Sequence, residues 1–351
     1  MGQSPDSDSY NDNEDGIPFF QGNADFGEKY PTTRKWCNAP TKIAHAEDIL
    51  ISVRAPIGAL NYAKEECCIG RGLAAITPNQ DKVSSGFIYW LLKGKHKELN
   101  LQGTGSTFKA ISRKVLEEIK VPDIELKKQT ELAGSLEKVY SVIQLRKQQL
   151  EELDILIKAR FVEMFGDPIQ NEKNWSRRSL EQLCHSIVDC PHSTPNYISE
   201  DTGFMCIRTS VVKKNKILWD EIEYIVEDEF NQRIQRKRPE KGDIVYTREG
   251  AILGIAAIID RNCNVALGQR SMLLSPDSSV CTSEFICTAM NSDSFLSNAL
   301  RGISGSASPH INVGDIKSFE MIAPPLELQR KFSEFNSQVD KLKFVETIAR
   351  F

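Results

Sequence analysis

Two short loops rich in glycine and hydroxyl side chains recur about 200 residues apart. They are Gly103-Thr104-Gly105-Ser106-Thr107-Phe108-Lys109 and Gly305-Ser306-Ala307-Ser308, each followed by an isoleucine, Ile111 or Ile311. A Gly/Ser loop that opens onto a helix start can bind phosphate through backbone N–H groups. The first loop lacks the Gly-Lys-Ser/Thr ending that sets a lysine on a nucleotide phosphate, so NTPase chemistry is not expected. Other catalytic patterns are missing too. No Asn/Asp-Pro-Pro-Tyr/Phe run for amino methylation is present, and Pro239-Glu240-Lys241 lacks the preceding strand-borne aspartate of a nuclease. Nine cysteines and five histidines show no Cys-x-x-Cys pair. His185, Cys190 and His192 are close in sequence, but no second ligand pair completes a metal set. Reduced, buried thiols are the expected state.

The elements that position these loops are themselves duplicated. Glu47-Asp48-Ile49-Leu50-Ile51-Ser52, Gly58, Ile69-Gly70 and Pro78 are answered by Gly242-Asp243-Ile244-Val245-Tyr246-Thr247, Gly254, Leu267-Gly268 and Pro276. Pro122-Asp123-Ile124-Glu125-Leu126 likewise matches Pro324-Pro325-Leu326-Glu327-Leu328. The period is far too long for a solenoid, so a whole module of domain plus helix is repeated. Alternation and β-branched content predict strands at 17–20, 49–53, 73–76, 204–207, 244–247 and 256–259, with a strand-like 119–122. Helices are expected over 86–101, 112–119 and 284–300.

From Leu126 to Met164 the pattern changes to heptads. Leu136, Ile143, Leu150, Ile157 and Met164 hold one seam position, and Leu132, Val139, Arg146, Leu153 and Arg160 the other. This predicts a coiled-coil helix of about 35 residues, about 50 Å long. Gly166 and Pro168 should end it. A second seam, Leu328, Phe332, Phe335, Val339 and Leu342, follows Pro325. A helix this apolar needs a partner, and the other copy is nearest. An antiparallel pairing would put the globular domains at opposite ends. The alternative is that each helix lies on its own domain.

Composition bounds the partners. The net charge is −4, and the first 28 residues carry seven acids and no Lys or Arg. The remaining 44 basic and 41 acidic residues leave +3, little for a stand-alone DNA binder, whose affinity comes largely from phosphate neutralisation. No apolar run is long enough to span a membrane, and the acidic start is unlike a signal peptide. A cytoplasmic protein without membrane attachment is expected.

The order domain, long helix, domain, long helix resembles the specificity subunit of type I restriction-modification systems. The likeness is carried by Gly16-Ile17-Pro18-Phe19-Phe20-Gln21-Gly22 with Asp25-Phe26-Gly27, and by the strands Asp48–Gly58 and Gly242–Gly250. It is carried also by the helix start Pro324-Pro325-Leu326-Glu327 and the helix end Phe161-Val162-Glu163-Met164-Phe165-Gly166-Asp167-Pro168. Two departures stand out: nothing in the first repeat corresponds to residues 175–186, and the second helix is short.

The resemblance implies an α+β fold with two pseudo-symmetric α/β target-recognition domains separated by two long antiparallel coiled-coil helices. The expected boundaries are a first recognition domain over 1–123, a spacer helix over 124–166, a second domain over 167–323 and a short second spacer over 324–351. It implies a non-catalytic subunit that reads a bipartite double-stranded DNA target and docks two methyltransferase (M) subunits and restriction (R) subunits. S-adenosylmethionine, ATP and Mg would then sit on those partners, with no cofactor or metal on this chain. Rigid spacing suits half-sites about one helical turn apart, roughly 34–36 Å.

Base readers should stand on loops after the matched strands. The candidates are Arg54, Arg71, Thr104, Ser106, Thr107 and Lys109 in the first domain, with Arg113 and Lys114 nearby. In the second they are Arg208, Arg248, Gln269, Arg270, Ser306, Ser308 and His310, beside Thr209. Each arginine can equally be a solvated surface charge. Lys213, Lys214, Lys216 and the run Arg233, Arg236, Lys237, Arg238, Lys241 read as phosphate contacts or plain surface. Leu136, Ile143, Leu150, Ile157, Phe332, Phe335, Val339 and Leu342 are the expected partner-binding helix positions. Two rivals remain open: a shortened, silent specificity cassette that never assembles, and a coiled-coil scaffold that binds protein.

Overall fold

The computed structural model describes residues 1–105, 109–301 and 309–348. It has two compact units, Met1–Leu145 and Arg146–Phe351. Each mixes short strands and helices, and the helix α2 (Leu126–Phe165) gives its first twenty residues to one and the rest to the other. No helix among the described residues is long and apolar enough to cross a membrane.

In the first unit, β1 (Ile17–Phe20), β2 (Ile49–Ser52), β3 (Leu60–Tyr62), β4 (Cys67–Ile69) and β5 (Leu73–Ile76) build two small sheets. β1 and β4 run parallel, while β2 is the centre of an antiparallel β3-β2-β5 sheet. The second unit repeats the plan with β6 (Met205–Ile207), β7 (Ile244–Thr247), β8 (Ala256–Ile258), β9 (Val265–Leu267) and β10 (Ser271–Pro276). β6 and β9 are the parallel pair, and β8-β7-β10 the antiparallel sheet.

The duplication extends to individual buried polar groups. Asp48 accepts the N–H of His45 at 2.9 Å, and Asp243 that of Glu240 at 2.9 Å, closing the turn before β2 and before β7. The Ser52 hydroxyl accepts the Ala59 N–H at 3.1 Å, as the Thr247 hydroxyl accepts that of Ile255 at 2.9 Å. Most telling is a buried glutamine one turn into each long helix. Gln129 accepts from the Ser84 N–H (2.9 Å) and donates to the Ile124 carbonyl (2.7 Å). Gln329 does the same with Thr282 (3.0 Å) and Pro324 (2.8 Å). The amide thus ties the start of the long helix to the start of α1 (Ser85–Gly94) or α3 (Ser283–Met290). Gln129→Ala or Gln329→Ala strands a partly buried N–H and C=O, so each is expected to cost about 1–3 kcal/mol. Urea unfolding of each variant measures this.

The expected strands appear within a residue of their predicted bounds. The helices 86–101 and 284–300 instead each break in two: Ser85–Gly94 with His96–Leu101, and Ser283–Met290 with Asp293–Ala299. In the second copy the Ser292 hydroxyl caps the new helix by accepting the Phe295 N–H, a local bond that competes with helix continuation. Residues 119–122 form no strand. Their counterpart Glu320–Ile322 pairs with Arg177–Ser179, in the segment that has no equivalent in the first repeat. That segment also supplies the helix Leu180–Leu183 and the edge strand Cys184–Asp189 beside β10.

α2 is 40 residues long, a turn longer than expected. Gly166 follows it at φ +77°, with its N–H on the Val162 carbonyl at 2.8 Å, the left-handed cap that glycine allows. Each half packs on its own unit. In the first unit Gln129 and Ala133 are buried against the domain and Tyr140 meets Trp90 edge-on at 5.4 Å, with Lys93 over its ring. In the second unit Ile157, Phe161 and Phe165 enter the main core with α3 and α4 (Leu326–Ile348). Phe165 meets Phe332, Arg160 lies over Phe335, and Asp154 bonds Lys343 at 2.7 Å. Falling numbers on α2 therefore match rising numbers on α4, so the pair is antiparallel. α4 also lies on its own domain through Gln329 and Ser333.

Candidate nucleic-acid interface

The strand ends meet residues that flank the Gly/hydroxyl loops, Thr104 with 109–111 and residues 309–311, at one edge of each domain. In the first, the Thr104 and Ala110 backbones exchange hydrogen bonds of 3.0 and 2.9 Å and so close the loop. The residues after it are stitched to the chain after β2: Ile111 N–H donates to the Val53 carbonyl (2.9 Å), and Ala55 N–H to that of Lys109 (3.1 Å). On the other side Val53 N–H reaches the Gly72 carbonyl (2.9 Å), and Gly70 N–H that of Phe20 (2.8 Å). Arg54, Arg71, Thr104 and Lys109 are thereby gathered on this edge, all exposed.

The second domain repeats the stitching. Ile311 N–H donates to the Arg248 carbonyl (2.8 Å), Gly250 N–H to that of Pro309 (3.0 Å), and Arg248 N–H to that of Arg270 (3.0 Å). Gly268 N–H completes it on the Ile207 carbonyl (2.9 Å). Exposed Arg208, Arg270 and His310 share this edge with half-buried Gln269. Arg208 is held by the Glu223 carboxylate and lies 4.6 Å from the Tyr197 ring centre. Ser106, Thr107, Ser306 and Ser308 lie outside the described residues.

Arg248 departs from the expectation of a base reader. It is 7% exposed, and its guanidinium grips Asp189 through Nε–Oδ1 at 2.9 Å and Nη2–Oδ2 at 3.2 Å. The shared hydrogen bonds make it the counterpart of Val53, also buried, so this position points inward in both copies. Glu249, not Arg248, matches Arg54. Arg233, read as a phosphate contact or surface, is likewise internal, bonded to Glu229 and to the Ser193 and Leu267 carbonyls. His185, Cys190 and His192 face three separate partners: Asp277, the Ser271 N–H and Asp189. Burial pushes the thiols of Cys67, Cys184, Cys206 and Cys281 up to about 12, which keeps them protonated.

The helix positions divide in the same way. Ile157, Phe332 and Val339 are buried in the second unit, where they hold α2, α3 and α4 together, so they offer no surface to a partner. Leu150 and Phe335 are half-buried. Leu136, Ile143 and Leu342 remain 46%, 41% and 56% exposed. With Leu132 and Val139, the first two make an open apolar stripe on the first half of α2. Sequence reasoning passed over Asp189, Gln21 and the two buried glutamines. The matched proline motifs gave no signal for the glutamines, since the hydrogen bonds set Ile124, not Pro122, opposite Pro324 and so shift that match by two residues.

The comparisons agree with this doubled architecture. Residues 1–154 and 172–349 match the family model for the type I restriction modification DNA specificity domain. Over 154 residues, 44% of this chain, it is 43% identical to a Methanocaldococcus jannaschii chain assigned as the MjaX type I restriction enzyme specificity subunit, spanning 36% of that relative. It is 20% identical over 317 residues to the EcoBI type I restriction enzyme specificity subunit of Escherichia coli, covering 82% of this chain and 65% of that one. The chain thus spans less than two thirds of either relative. The crystal structure of a type I restriction-modification S subunit from M. genitalium shares the fold, with a TM-score of 0.56 over 99% of this chain and 90% of that one at 15% identity. Matched by the family model on both halves, this chain belongs to the type I restriction-modification DNA specificity family.

Proposed function

We propose that this chain is the DNA-reading subunit of a type I restriction-modification complex, each domain reading one part of a two-part duplex target. The observation that carries the reading is the edge built twice, with Arg54, Arg71 and Lys109 on one copy and Arg208, Arg270 and His310 on the other. Side chains of these types make phosphate and base-edge contacts. The surrounding loops differ in sequence, so the two parts of the target should differ. Methyltransferase chains, and motor-nuclease chains for cleavage, would carry the chemistry together with S-adenosylmethionine, ATP and Mg. The apolar stripe of Leu132, Leu136, Val139 and Ile143 supports docking of the methyltransferase on α2. Acting on the cell's own DNA, the complex would be cytoplasmic.

Near-neutral charge gives a direct expectation. The isolated chain should bind duplex DNA at about micromolar or weaker levels in 150 mM salt, and far more tightly with its methyltransferase. Gel shifts of the chain alone and of the complex check this. Nanomolar specific binding by the isolated chain would refute it. Methylation-aware sequencing with and without the gene tests the function itself, because only a specificity subunit changes which sites are modified.

A further inference from the structure

Each parallel strand pair ends in two long polar side chains. Gln21 follows β1 and Arg71 follows the Gly70 that ends β4; Arg208 follows β6 and Gln269 follows the Gly268 that ends β9. The bonds Gly70 N–H to Phe20 and Gly268 N–H to Ile207 fix the same register in both copies. Gln21 is therefore the counterpart of Arg208, and Arg71 of Gln269. The two domains carry the same two residue types with their places exchanged.

We infer that each pair is a two-residue base reader, arginine on a guanine edge and glutamine on a neighbouring adenine edge, in opposite order in the two domains. The inference rests on the DNA-reading function proposed above and goes beyond it by naming residues and bases. Arginine grips guanine O6 and N7 with two donors, and glutamine matches adenine N6 and N7. Adjacent strands lie about 4.8 Å apart, close to the rise of roughly 3.4 Å between base pairs. Long side chains on neighbouring strands can therefore meet neighbouring pairs.

One side chain of each pair is held before any DNA arrives. The Gln21 amide exchanges hydrogen bonds with the Ser4 hydroxyl at 3.0 and 3.2 Å, and the same hydroxyl accepts the Arg71 N–H at 3.4 Å. Arg208 is braced by Glu223 and Tyr197. Its guanidinium has five donors in a rigid fork, so one carboxylate leaves an edge for a base. Gly70 and Gly268 keep the arrangement open. A Cβ at Gly70 would come within 2.5 Å of Gln21 Oε1, and one at Gly268 within 2.8 Å of the Tyr197 hydroxyl. Such bracing lowers the entropy lost on binding.

The test uses the full chain assembled with its methyltransferase subunits, unmethylated genomic DNA and methylation-aware sequencing. The double variant Gln21→Arg with Arg71→Gln should exchange G·C and A·T at neighbouring positions of one part of the motif and leave the other part unaltered. Arg208→Gln with Gln269→Arg should do the same to the other part. Gln21→Ala and Gln269→Ala, which only remove side chains, should each relax one position, lowering discrimination about tenfold to hundredfold. They serve also if an exchange variant melts early. An unchanged motif in all four variants, or a uniform loss at every site with no change of base, overturns the inference. A wild-type complex that methylates no two-part motif would instead refute the function on which it rests.

Discussion

Phe332→Ala is expected to lower the stability of the second unit by about 3–5 kcal/mol, the range for removing a fully buried aromatic ring. Phe332 has no exposed surface and sits edge-on to Phe161 and Phe165, with ring centres 5.5 and 5.6 Å away. Those two rings in turn pack on Phe285 of α3, at 5.7 and 4.9 Å. Four rings from three helices thus form one joint. Truncating one leaves a cavity that rigid helices cannot close, and it also forfeits edge contacts worth about 0.5–1.5 kcal/mol per pair. Leu342→Ala, one helix face away and largely exposed, should change stability by less than about 0.5 kcal/mol. For a unit of this size the difference corresponds to about 6–20 °C in melting temperature. Scanning calorimetry of the two variants decides it: equal melting would mean that α4 does not dock on α2.

The same joint shows what could be read from the sequence. The heptad count located α2 and α4 because a seam repeating every seven residues is a strong, local signal. It could not tell which seam residues face a partner helix and which face a domain. Ile157 and Leu136 occupy the same heptad position, yet one is buried and the other open. The difference is made by α3 and α4, which come from more than a hundred residues away. Short strands such as Ile17–Phe20 and Ile244–Thr247 were legible for a similar reason, as dense apolar runs between turn residues.

At the reading edge, residue type misled where burial decided. Arg248 has the chemistry of a base reader, but its fate is set by Asp189, 59 positions earlier, and by the inward pleat it shares with Val53. No spacing rule links an aspartate to an arginine over that distance. Gln21 escaped notice because it sits inside a motif whose apolar residues drew the likeness. Only the register of β1 against β4, compared with β6 against β9, sets it opposite Arg208.

Asp189→Ala is expected to cost the second unit about 3–5 kcal/mol, because it leaves the Arg248 guanidinium buried without its counter-charge. Asp189 accepts two hydrogen bonds from Arg248, an ion pair with both side chains mostly hidden, 15% and 9% exposed. The remaining bond of that guanidinium, to the Ile311 carbonyl at 3.5 Å, is too long to compensate. Pairing Asp189→Leu with Arg248→Met should recover most of the loss, since two apolar groups of similar volume need no counter-charge. A urea-denaturation comparison of the single and double variants separates the pair from simple packing. The consequence reaches the edge, because the Arg248 backbone holds both Ile311 and Arg270 through hydrogen bonds. Asp189→Ala should therefore weaken DNA binding by the assembled complex, although no atom of Asp189 or of the Arg248 side chain is proposed to touch a base. A loss of less than about 1 kcal/mol in the single variant would mean that solvent already shares Arg248, and would restore it as a candidate reader.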